Sequence, residues 1–433
     1  MDPHDTGALT SDRPVRQARR VGLLGLGTVG SAVAARLLDP DWRANAVARG
    51  QVPPVLVAVA ARDAAGERKL ELPPEVRLSD DAASVATAED VDVVVELMGG
   101  TEASGHAIRQ AFAAGKSVVS ANKELLAKEG ATLETAAREA GVGLRFEAAV
   151  AGGVPLLGPL VWDLGANRVT TVRGIINGTT NHILSTMAAD GREYGDVLRE
   201  SQARGFAEAD PSSDVEGLDA AYKLTLLTRL AFDGWLDVTT LRRSIPAFGT
   251  AAPAGITGVT RAHLGVAARL GLAIKLIARA ERPSAGRIRA AVTPMAVAST
   301  SPLGATRGVT NLIEIAADPV GRVTMAGPGA GGPATASSVL ADLLVFAKST
   351  ASTWEQLPPA PEVSVEDDLT GERGWMVVVD GLGEAGFPDS IRDLSLATTD
   401  EGFVTRPLSL AALEGRLALM ERASFAYPVL EDA

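Results

Sequence analysis

Residues 20–38 read RVGLLGLGTVGSAVAARLL, and this stretch decides the fold of the amino-terminal part of the chain. An apolar run typical of a strand leads into the glycine pattern GLGTVG at residues 25–30, and residues 31–38 have helical composition. A strand, a glycine turn and a helix in this order form the context in which such a pattern binds a dinucleotide. The stretch therefore predicts the start of a Rossmann domain, although a structural glycine turn stays open at this point.

Each residue of the glycine pattern has a physical reason to be there. Gly25 permits the tight turn, Gly27 lets a pyrophosphate approach the main chain, and Gly30 lets the helix pack close to the strand. Thr28 and Val29 lie at the start of the helix, where unpaired amide groups face the phosphates. We expect these five residues to bind the cofactor.

The second strand indicates which dinucleotide is bound. Residues 55–61 form an apolar strand that ends at Arg62 and Asp63, where the adenosine ribose lies in this fold. Arg62 suits a 2′-phosphate and favours NADP, whereas Asp63 would suit the ribose hydroxyls of NAD, and a solvated strand end is the third reading. We expect residues 39–54 to be a loop because they contain a Pro-Pro pair.

Small and polar residues follow two further strands of the predicted sheet. Residues 93–97 form an apolar strand interrupted by Glu96, and Gly99 after it leaves room for a ligand at the strand's carboxyl end. Residues 117–120 form the next strand, after which Lys123 opens a helix and points into the same crevice. We therefore expect Gly99 and Lys123 to lie beside the cofactor.

Two turns of small residues are candidates for ligand contacts. The first reads EAAVAGGVP at residues 147–155, and its carbonyl oxygens together with Glu147 would suit a hard monovalent cation. The second reads GPGAGG at residues 327–332 and precedes a helical run, so Gly329 and Gly331 can approach the cofactor from the other side. A plain glycine turn and a connecting loop, respectively, explain the two segments as well.

A polar segment also follows the strand predicted at residues 168–176. It reads NGTTN at residues 177–181, and we expect it to be a loop. Polar residues on a loop after a buried strand are candidates for substrate contacts, Thr179 among them.

Residues 205–223 place five carboxylates around one lysine. Asp219 and Lys223 are four residues apart in the apolar-periodic run 215–232, which should put them on one helical face. A lysine held beside carboxylates can bind a polar substrate and exchange protons with it. A solvated ion pair on a helix is the alternative.

The composition excludes several classes of function. The 433 residues carry 41 basic and 53 acidic side chains, a net charge of -12 that repels nucleic acid and anionic membrane surfaces. There is no cysteine, so disulfides and thiolate metal sites are excluded. No apolar run reaches the roughly 18 residues of a membrane span, and the first 18 residues lack the apolar core of a secretory signal. We expect a cytoplasmic protein.

In this order, the segments resemble homoserine dehydrogenase over roughly residues 19–350. The resemblance rests on five motifs, at residues 25–30, 121–123, 146–155, 177–181 and 205–223. The last motif is the specific one, because the glycine pattern alone fits many dehydrogenases.

The resemblance implies NAD(P)-dependent interconversion of L-homoserine and L-aspartate 4-semialdehyde, a step towards threonine and methionine. It implies that Lys223 exchanges the proton of the substrate oxygen, assisted by Lys123 and, in the same catalytic group, Asp219. Glu208, Asp214 and Asp219 then bind the substrate, since carboxylates complement its ammonium group.

The resemblance also concerns the cofactor, an ion and the assembly. It implies that Gly205 lies beside the cofactor and that sodium binds at Glu147 and the main-chain oxygens of Val150, Gly152 and Val154. A homodimer formed by the middle region is expected.

The expected fold class is α/β, and the chain is expected to divide into five segments. They are a flexible tail (1–18), a Rossmann domain (19–150), an α+β catalytic and dimerisation domain (151–334), a helix returning to the nucleotide domain (335–350) and a small α+β extension (351–433). Bacterial relatives often carry a regulatory ACT module in the extension, with a Pro-Gly-Val-Leu type loop after its first strand. Here residues 375–380 suggest a strand and 411–422 a helix, but the nearest remnant of that loop is GFPD at 386–389. A divergent ACT-like module is therefore open, and the missing loop argues against control by threonine.

Two rival functions remain at this stage. One is another NADP-linked oxidoreductase of a small amino or hydroxy acid, since a fold does not fix a substrate. The other is a cofactor-sensing regulator that has lost catalysis. The presence of Lys123, Glu208, Asp219 and Lys223 together argues against the second.

Overall fold

The computed structural model describes residues 18–62, 70–284, 287–360, 362–381, 387–420 and 422–431. Asp63, Gly386 and all but the last residue of the predicted tail lie outside these ranges. No described helix is long and apolar enough to cross a membrane.

A parallel sheet forms the amino-terminal layer. Its strands are β1 (Arg20–Leu24), β2 (Val55–Ala60), β3 (Arg77–Ser79), β4 (Val93–Glu96), β5 (Ser117–Ser120) and β6 (Leu144–Arg145). Its helices are α1 (Thr28–Leu38), α2 (Pro40–Ala48), α3 (Ala82–Thr87), α4 (Glu102–Ala113) and α5 (Lys123–Ala140). The strand order β3-β2-β1-β4-β5-β6 is that of a doubly wound dinucleotide-binding sheet. The predicted α/β class and Rossmann layer are confirmed.

The prediction of a loop at residues 39–54 was wrong, because α2 lies within it. Asp39 caps this helix by accepting from the amides of Asp41 and Trp42, and Pro40 occupies its first turn. An N-cap acid followed by proline is a strong helix start, since proline lacks only an amide that would be unpaired there. The Pro-Pro pair at 53–54 ends the crossover and does not prevent the helix.

A second, mostly antiparallel sheet follows. The next elements along the chain are α6 (Leu157–Val161), β7 (Arg168–Ile175), α7 (Gly178–Asp190), α8 (Tyr194–Ala203), α9 (Ser212–Val215), α10 (Leu218–Phe232), β8 (Trp235–Leu236), β9 (Ala247–Phe248) and α11 (Arg261–Arg269). Next come β10 (Leu272–Ser284), β11 (Arg287–Ala298), α12 (Pro302–Ala305), β12 (Thr310–Asp318), β13 (Gly321–Pro328), α13 (Gly332–Phe346), β14 (Glu362–Val363) and β15 (Val365–Asp367). The sheet has the order β13-β12-β7-β10-β11-β15, and β14 pairs with β8.

The last part of the chain forms a third sheet. Its elements are β16 (Trp375–Val379), α14 (Asp389–Arg392), β17 (Ser395–Thr398), β18 (Gly402–Thr405), α15 (Leu410–Leu417) and β19 (Ser424–Pro428). The antiparallel order is β17-β18-β16-β19, extended at one edge by β9. This βαββαβ succession is the ferredoxin-like arrangement.

The polar segment at residues 177–181 was predicted to be a loop and is in fact the start of α7. Asn177 caps the helix, because its Oδ1 accepts from the amide of Thr180. Asparagine is among the preferred N-cap residues, and helix starts and loops share the same polar composition. The side chains of this segment are therefore held on a helix rather than on an irregular loop.

Helix α13 returns to the first sheet. Val339, Leu343 and Phe346 pack in one core with Val21 and Leu23 of β1. The first residue of α13 lies against α1, since a Cβ placed on Gly332 would be 2.9 Å from the carbonyl oxygen of Thr28. The amino-terminal ends of the two helices thus lie side by side.

A buried ion pair fixes α5 against α10. Arg229 of α10 donates from Nε and Nη2 to the two carboxylate oxygens of Glu134 in α5, at 2.8 and 2.7 Å. Arg138 donates to the same carboxylate at 2.8 Å, and the indole of Trp235 donates at 2.9 Å. The Arg229 side chain is 0% exposed, so its charge depends mainly on Glu134, and its other carboxylate neighbour, Asp233, is 4.0 Å away and 43% exposed.

Replacing Glu134 by glutamine is expected to destabilise the protein by about 3 kcal/mol or more, because the buried charge of Arg229 is then left with only the distant, partly exposed carboxylate of Asp233. Arg138→Met is the matched control: it removes a cation from the same carboxylate, but this side chain is 30% exposed. Such pairs contribute at most about 1 kcal/mol. Urea unfolding followed by tryptophan fluorescence compares the two variants. Equal unfolding midpoints would contradict the importance of the buried pair.

Candidate active site

A cavity of about 640 Å³ lies where the amino-terminal ends of five helices meet. These helices are α1, α5, α7, α10 and α13. The cavity brings together most of the predicted site residues: Thr28, Val29, Lys123, Gly152, Thr179, Gly205, Glu208, Asp214, Asp219, Lys223, Gly329 and Gly331. Helix N-termini supply unpaired amides and partial positive charge, so the cavity suits an anionic ligand.

Asp219 is the centre of the charged cluster. Its Oδ2 accepts from Lys223 Nζ at 2.7 Å, and its Oδ1 lies 3.3 Å from Lys123 Nζ. The prediction that Asp219 and Lys223 share one helical face is confirmed, because both lie in the first turns of α10. This helix begins at residue 218, three residues later than the predicted run, since Gly217 has φ 80° and interrupts it.

The protonation state of Asp219 is set by its neighbours. Burial alone would raise the pKa of this carboxyl, but Lys223 and Lys123 outweigh it and hold the pKa at about 2. Asp219 in turn raises the pKa of Lys123 above its usual value. Asp219 is therefore a carboxylate and Lys123 an ammonium at any physiological pH.

Lys223 is buried, and two hydrogen-bond acceptors orient its ammonium group. Besides Asp219, its Nζ donates to the main-chain oxygen of Ile176 at 2.8 Å, at the end of β7. An ammonium has three donors, so one N–H remains for the cavity that Lys223 lines. Lys123 approaches from the opposite helix with a side chain that is 38% exposed, and it faces the same space.

Asn177 joins two carboxylates, a role that the sequence did not predict. Its Nδ2 donates to Asp214 Oδ1 at 2.7 Å and to Asp219 Oδ2 at 2.9 Å. Burial and the nearby charge of Asp219 raise the pKa of Asp214. The amide holds two like charges side by side, and only its place in the polar segment 177–181 pointed to it in the sequence.

The loop that carries Glu208 is tied to α7. Thr179 Oγ1 donates to the main-chain oxygen of Phe206 at 2.9 Å, and the ring of His182 meets that of Phe206 edge-on at 5.0 Å. On the other side, Gln202 donates to the main-chain oxygen of Glu208. Glu208 thus borders the cavity together with Gly205.

A second cavity, of about 660 Å³, lies beside the glycine turn. Gly25, Gly27, Arg62 and Gly99 line it, as the sequence predicted, and Asp80 lines it as well. Gly25 has φ 100°, and a Cβ there would lie 2.6 Å from the oxygen of Leu97. A Cβ on Gly27 would meet no described atom within 4 Å, so its main chain is open to a ligand. These features fit a pyrophosphate-binding turn.

Gly30 lies outside both cavities and has a packing role. A Cβ on it would lie 2.0 Å from the oxygen of Gly25, so only glycine lets α1 approach the turn this closely. This is the geometry expected of the third glycine of the pattern.

The carboxylate of Glu147 is occupied by protein. Its two oxygens accept from the amides of Leu156, Leu157 and Gly158 at 2.6 to 2.9 Å, which caps the start of α6. Within the described residues, no group of three or more His, Cys, Asp or Glu is placed to hold a metal ion. A cation in this turn would therefore depend on main-chain oxygens.

The main chain around that turn is closely packed. The oxygen of Gly152 accepts from Ser338 Oγ at 2.7 Å, while Val150 and Val154 are buried beneath the cavity. Nearby, Asn311 is fully buried against Gly329, and neither of its amide atoms has a hydrogen-bond partner among the described residues. A small polar ligand here, an ion or a water, would satisfy that amide.

Comparison with known families agrees with this geometry. A family model described as "Homoserine dehydrogenase, NAD binding domain" matches residues 25–147, and one described as "Homoserine dehydrogenase" matches residues 155–344. The chain is 41% identical to a homoserine dehydrogenase of Synechocystis sp. over 329 residues, which cover 75% of this chain and 72% of the relative. It is 40% identical to one of Mycobacterium bovis over 358 residues, covering 80% and 78%.

Solved structures give the same result. The crystal structure of a homoserine dehydrogenase from Thiobacillus denitrificans superposes with a TM-score of 0.82 at 30% identity. The match covers 96% of this chain and 99% of that one, so it includes the carboxy-terminal sheet.

The low pKa of Asp219 predicts how the stability of the fold depends on pH. Because the folded-state pKa of about 2 lies below the ordinary value of 3.8, the carboxylate stabilises the fold above about pH 4 and loses this contribution as the pH falls towards 2. The stability difference between wild type and Asp219→Asn should therefore shrink, by about 2 kcal/mol in full, over that interval. Thermal unfolding of both proteins between pH 6 and pH 3 measures the trend. A difference that is unchanged at pH 3 would contradict it.

Proposed function

Because the chain belongs to the homoserine dehydrogenase family, we propose that Lys223 exchanges a proton with the oxygen at the reacting carbon of the substrate. The chain is an oxidoreductase that interconverts L-homoserine and L-aspartate 4-semialdehyde with a nicotinamide dinucleotide. The resemblance predicted from the sequence is confirmed at this level. The roles of individual residues are our proposal.

One observation carries the assignment of Lys223. Its ammonium borders the cavity that Thr28 and Val29 line from the glycine turn, and two fixed acceptors orient it. When aldehyde is reduced, negative charge grows on the substrate oxygen, and an ammonium stabilises this charge and then protonates it. In the reverse direction the neutral amine removes the proton. When bound, the nicotinamide dinucleotide supplies the hydride donor or acceptor.

Lys123 and Asp219 assist this proton exchange. Asp219 holds the two lysines by its two oxygens and stays ionised, so it orients Lys223 without competing for the proton. Lys123, an ammonium on the facing helix, adds positive charge where the substrate oxygen becomes negative. This arrangement favours the transition state over the neutral aldehyde.

Glu208 and Asp214 are proposed to bind the ammonium group of the substrate, with Thr179 fixing the loop that carries Glu208. Support comes from their position in the wall of the cavity that Lys223 also lines. Charge-assisted hydrogen bonds from an ammonium to carboxylates select an amino acid over a simple aldehyde.

The cofactor is proposed to extend along both cavities. Gly25, Gly27, Arg62 and Gly99 would border its adenosine end, and Gly205, Gly329 and Gly331 would approach it at the substrate end. Gly30 would act by letting α1 pack closely. Arg62 supports a preference for NADP over NAD, since a guanidinium pairs well with a phosphate.

Sodium at the turn of residues 147–155 remains part of the proposal, with a restricted set of donors. The Glu147 carboxylate caps α6, so its main-chain oxygen and those of Val150, Gly152 and Val154 would be the ligands. The unpaired amide of the neighbouring Asn311 supports a bound ion or water in this region.

Two further proposals concern assembly and the carboxy-terminal residues. A homodimer is supported by β13, which ends the second sheet and has alternately exposed residues, because an edge strand can contact a second copy. A divergent ACT-like module at residues 351–433 is supported by the βαββαβ order of its elements.

Lys223→Met is expected to lower kcat for L-homoserine oxidation at least about 100-fold, the usual scale for a general acid or base. Methionine keeps the bulk of the buried side chain, so binding of reduced cofactor, measured by its fluorescence, should change little. Lys128→Met, on the same helix as Lys123 and paired with Glu124, is the matched control and should keep wild-type activity. Substantial turnover by Lys223→Met would refute the role of Lys223. Absence of turnover by the wild type would refute the substrate.

Arg62→Ala is expected to raise the KM for NADP about tenfold or more and to leave that for NAD almost unchanged, because a charged hydrogen bond to the 2′-phosphate contributes about 1.5–3 kcal/mol. Initial rates with each cofactor at saturating L-homoserine measure both constants. An equal change for the two cofactors would reject the assignment of Arg62 to the 2′-phosphate.

A further inference from the structure

A buried lysine that the proposed mechanism does not use lies behind the substrate end of the cavity. Lys275, near the start of β10, is 2% exposed. Its Nζ donates to Asn181 Oδ1 at 2.8 Å, to the main-chain oxygen of Thr306 at 2.6 Å and to Ser185 Oγ at 3.2 Å. We propose that Lys275 is a positioning residue for L-homoserine, which sets the substrate wall of the cavity by tying the first turn of α7 to the segment 306–309.

The surroundings of Lys275 disfavour a buried positive charge, so the presence of a lysine needs an explanation. All three partners are neutral oxygens, and in the part of the chain that the structure describes, the charge that acts on it is the positive one of Arg307. Burial, with Arg307, lowers the pKa of Lys275 to about 7. A buried cation without a counter-ion is costly, so an apolar residue in this strand would be more stable. What a lysine adds is a head with several donors that can join oxygens from two different segments.

The two joined segments both reach the cavity. Asn181 accepts from Lys275 with its oxygen and donates with Nδ2 to the main-chain oxygen of Gly308 at 2.8 Å. Gly178, at the start of α7, packs closely against Val309, the residue after Gly308. A Cβ on Gly178 would lie 2.7 Å from the oxygen of Val309. Gly178, Thr179 and Val309 line the cavity, whereas Lys275 does not. Lys275 and Asn181 therefore hold the wall from behind.

Hydrogen bonds link this cavity wall to the two acids that are proposed to bind the substrate. Thr179 of the same first turn holds the main chain at Phe206, two residues before Glu208. Asn177, which caps that turn, donates to Asp214. A shift of the turn would move both acids proposed to bind the ammonium group. Asn177 also donates to Asp219, but Lys223 itself is held by Asp219 on its own helix and by the main chain of Ile176, both outside the turn. The expected effect is therefore on substrate binding more than on chemistry.

Lys275→Met tests this inference, which rests on the proposed function. It is expected to raise the KM for L-homoserine about tenfold or more, while kcat changes less than about threefold and the KM for the cofactor stays unchanged, the pattern of lost substrate binding. The matched control is Lys116→Met. Lys116 is likewise buried, at 7% exposure. It donates to the main-chain oxygens of Ala88 and Val91 near the amino-terminal end of β5, away from the cavities. That variant should lose thermal stability but keep both KM values.

Asn181→Ala keeps the test decisive if Lys275→Met does not fold. It breaks the same link from the other side and should raise the KM for L-homoserine to a similar extent. In the double variant the two effects should not add, because both remove one connection. A wild-type KM in Asn181→Ala, additive effects, or an equal rise in Lys116→Met would each overturn the inference. Failure of the proposed function looks different, since the wild type itself would then not oxidise L-homoserine.

Discussion

The carboxylate of Asp219 is the constraint on which the site depends. It is buried among Lys123 at the start of α5, Asn177 ahead of α7, and Lys223 of its own helix, which also binds the end of β7. Two ammonium groups can lie this close only with a negative charge between them, because like charges in a partly dry site repel strongly. The same carboxylate thus concentrates positive charge at the cavity and keeps the Lys223 amine in one orientation.

Two ion pairs between the same helices make that constraint rigid. Near their amino-terminal ends, α5 and α10 meet through Lys123 and Asp219, and farther along they meet through Glu134 and Arg229. The pairs are separated by 11 residues on one helix and 10 on the other, about 15 Å at the usual helical rise. Two fixed points prevent the helices from sliding or turning past each other. Because α5 belongs to the nucleotide-binding sheet and α10 to the second layer, the Lys223 amine has a defined position relative to the glycine turn.

The sequence predicted those features that depend on local spacing. The glycine turn needs three glycines at fixed offsets, and the pair Asp219 and Lys223 needs only a helix and an interval of four. It failed where one composition fits two structures: the polar residues at 177–181 begin a helix, and Asp39 with Pro40 starts α2 inside a supposed loop. It could not predict the capping role of the Glu147 carboxylate or the bridging by Asn177. Those roles depend on partners that only the folded chain brings near.

Three buried lysines illustrate this limit in physical terms. Lys223 has a carboxylate partner four residues away, so its role is readable from spacing, although its second acceptor is 47 residues distant. Lys275 is bound to an amide oxygen 94 residues away, and Lys116 to carbonyl oxygens 25 and 28 residues away. The side chain is the same in each case. The partners differ. A carboxylate beside the cavity orients Lys223, which suits the proton exchange that we propose for it. Lys275 instead joins neutral oxygens from two segments of the chain. A lysine in a strand that reads as apolar therefore calls for a structure before it is assigned to the core.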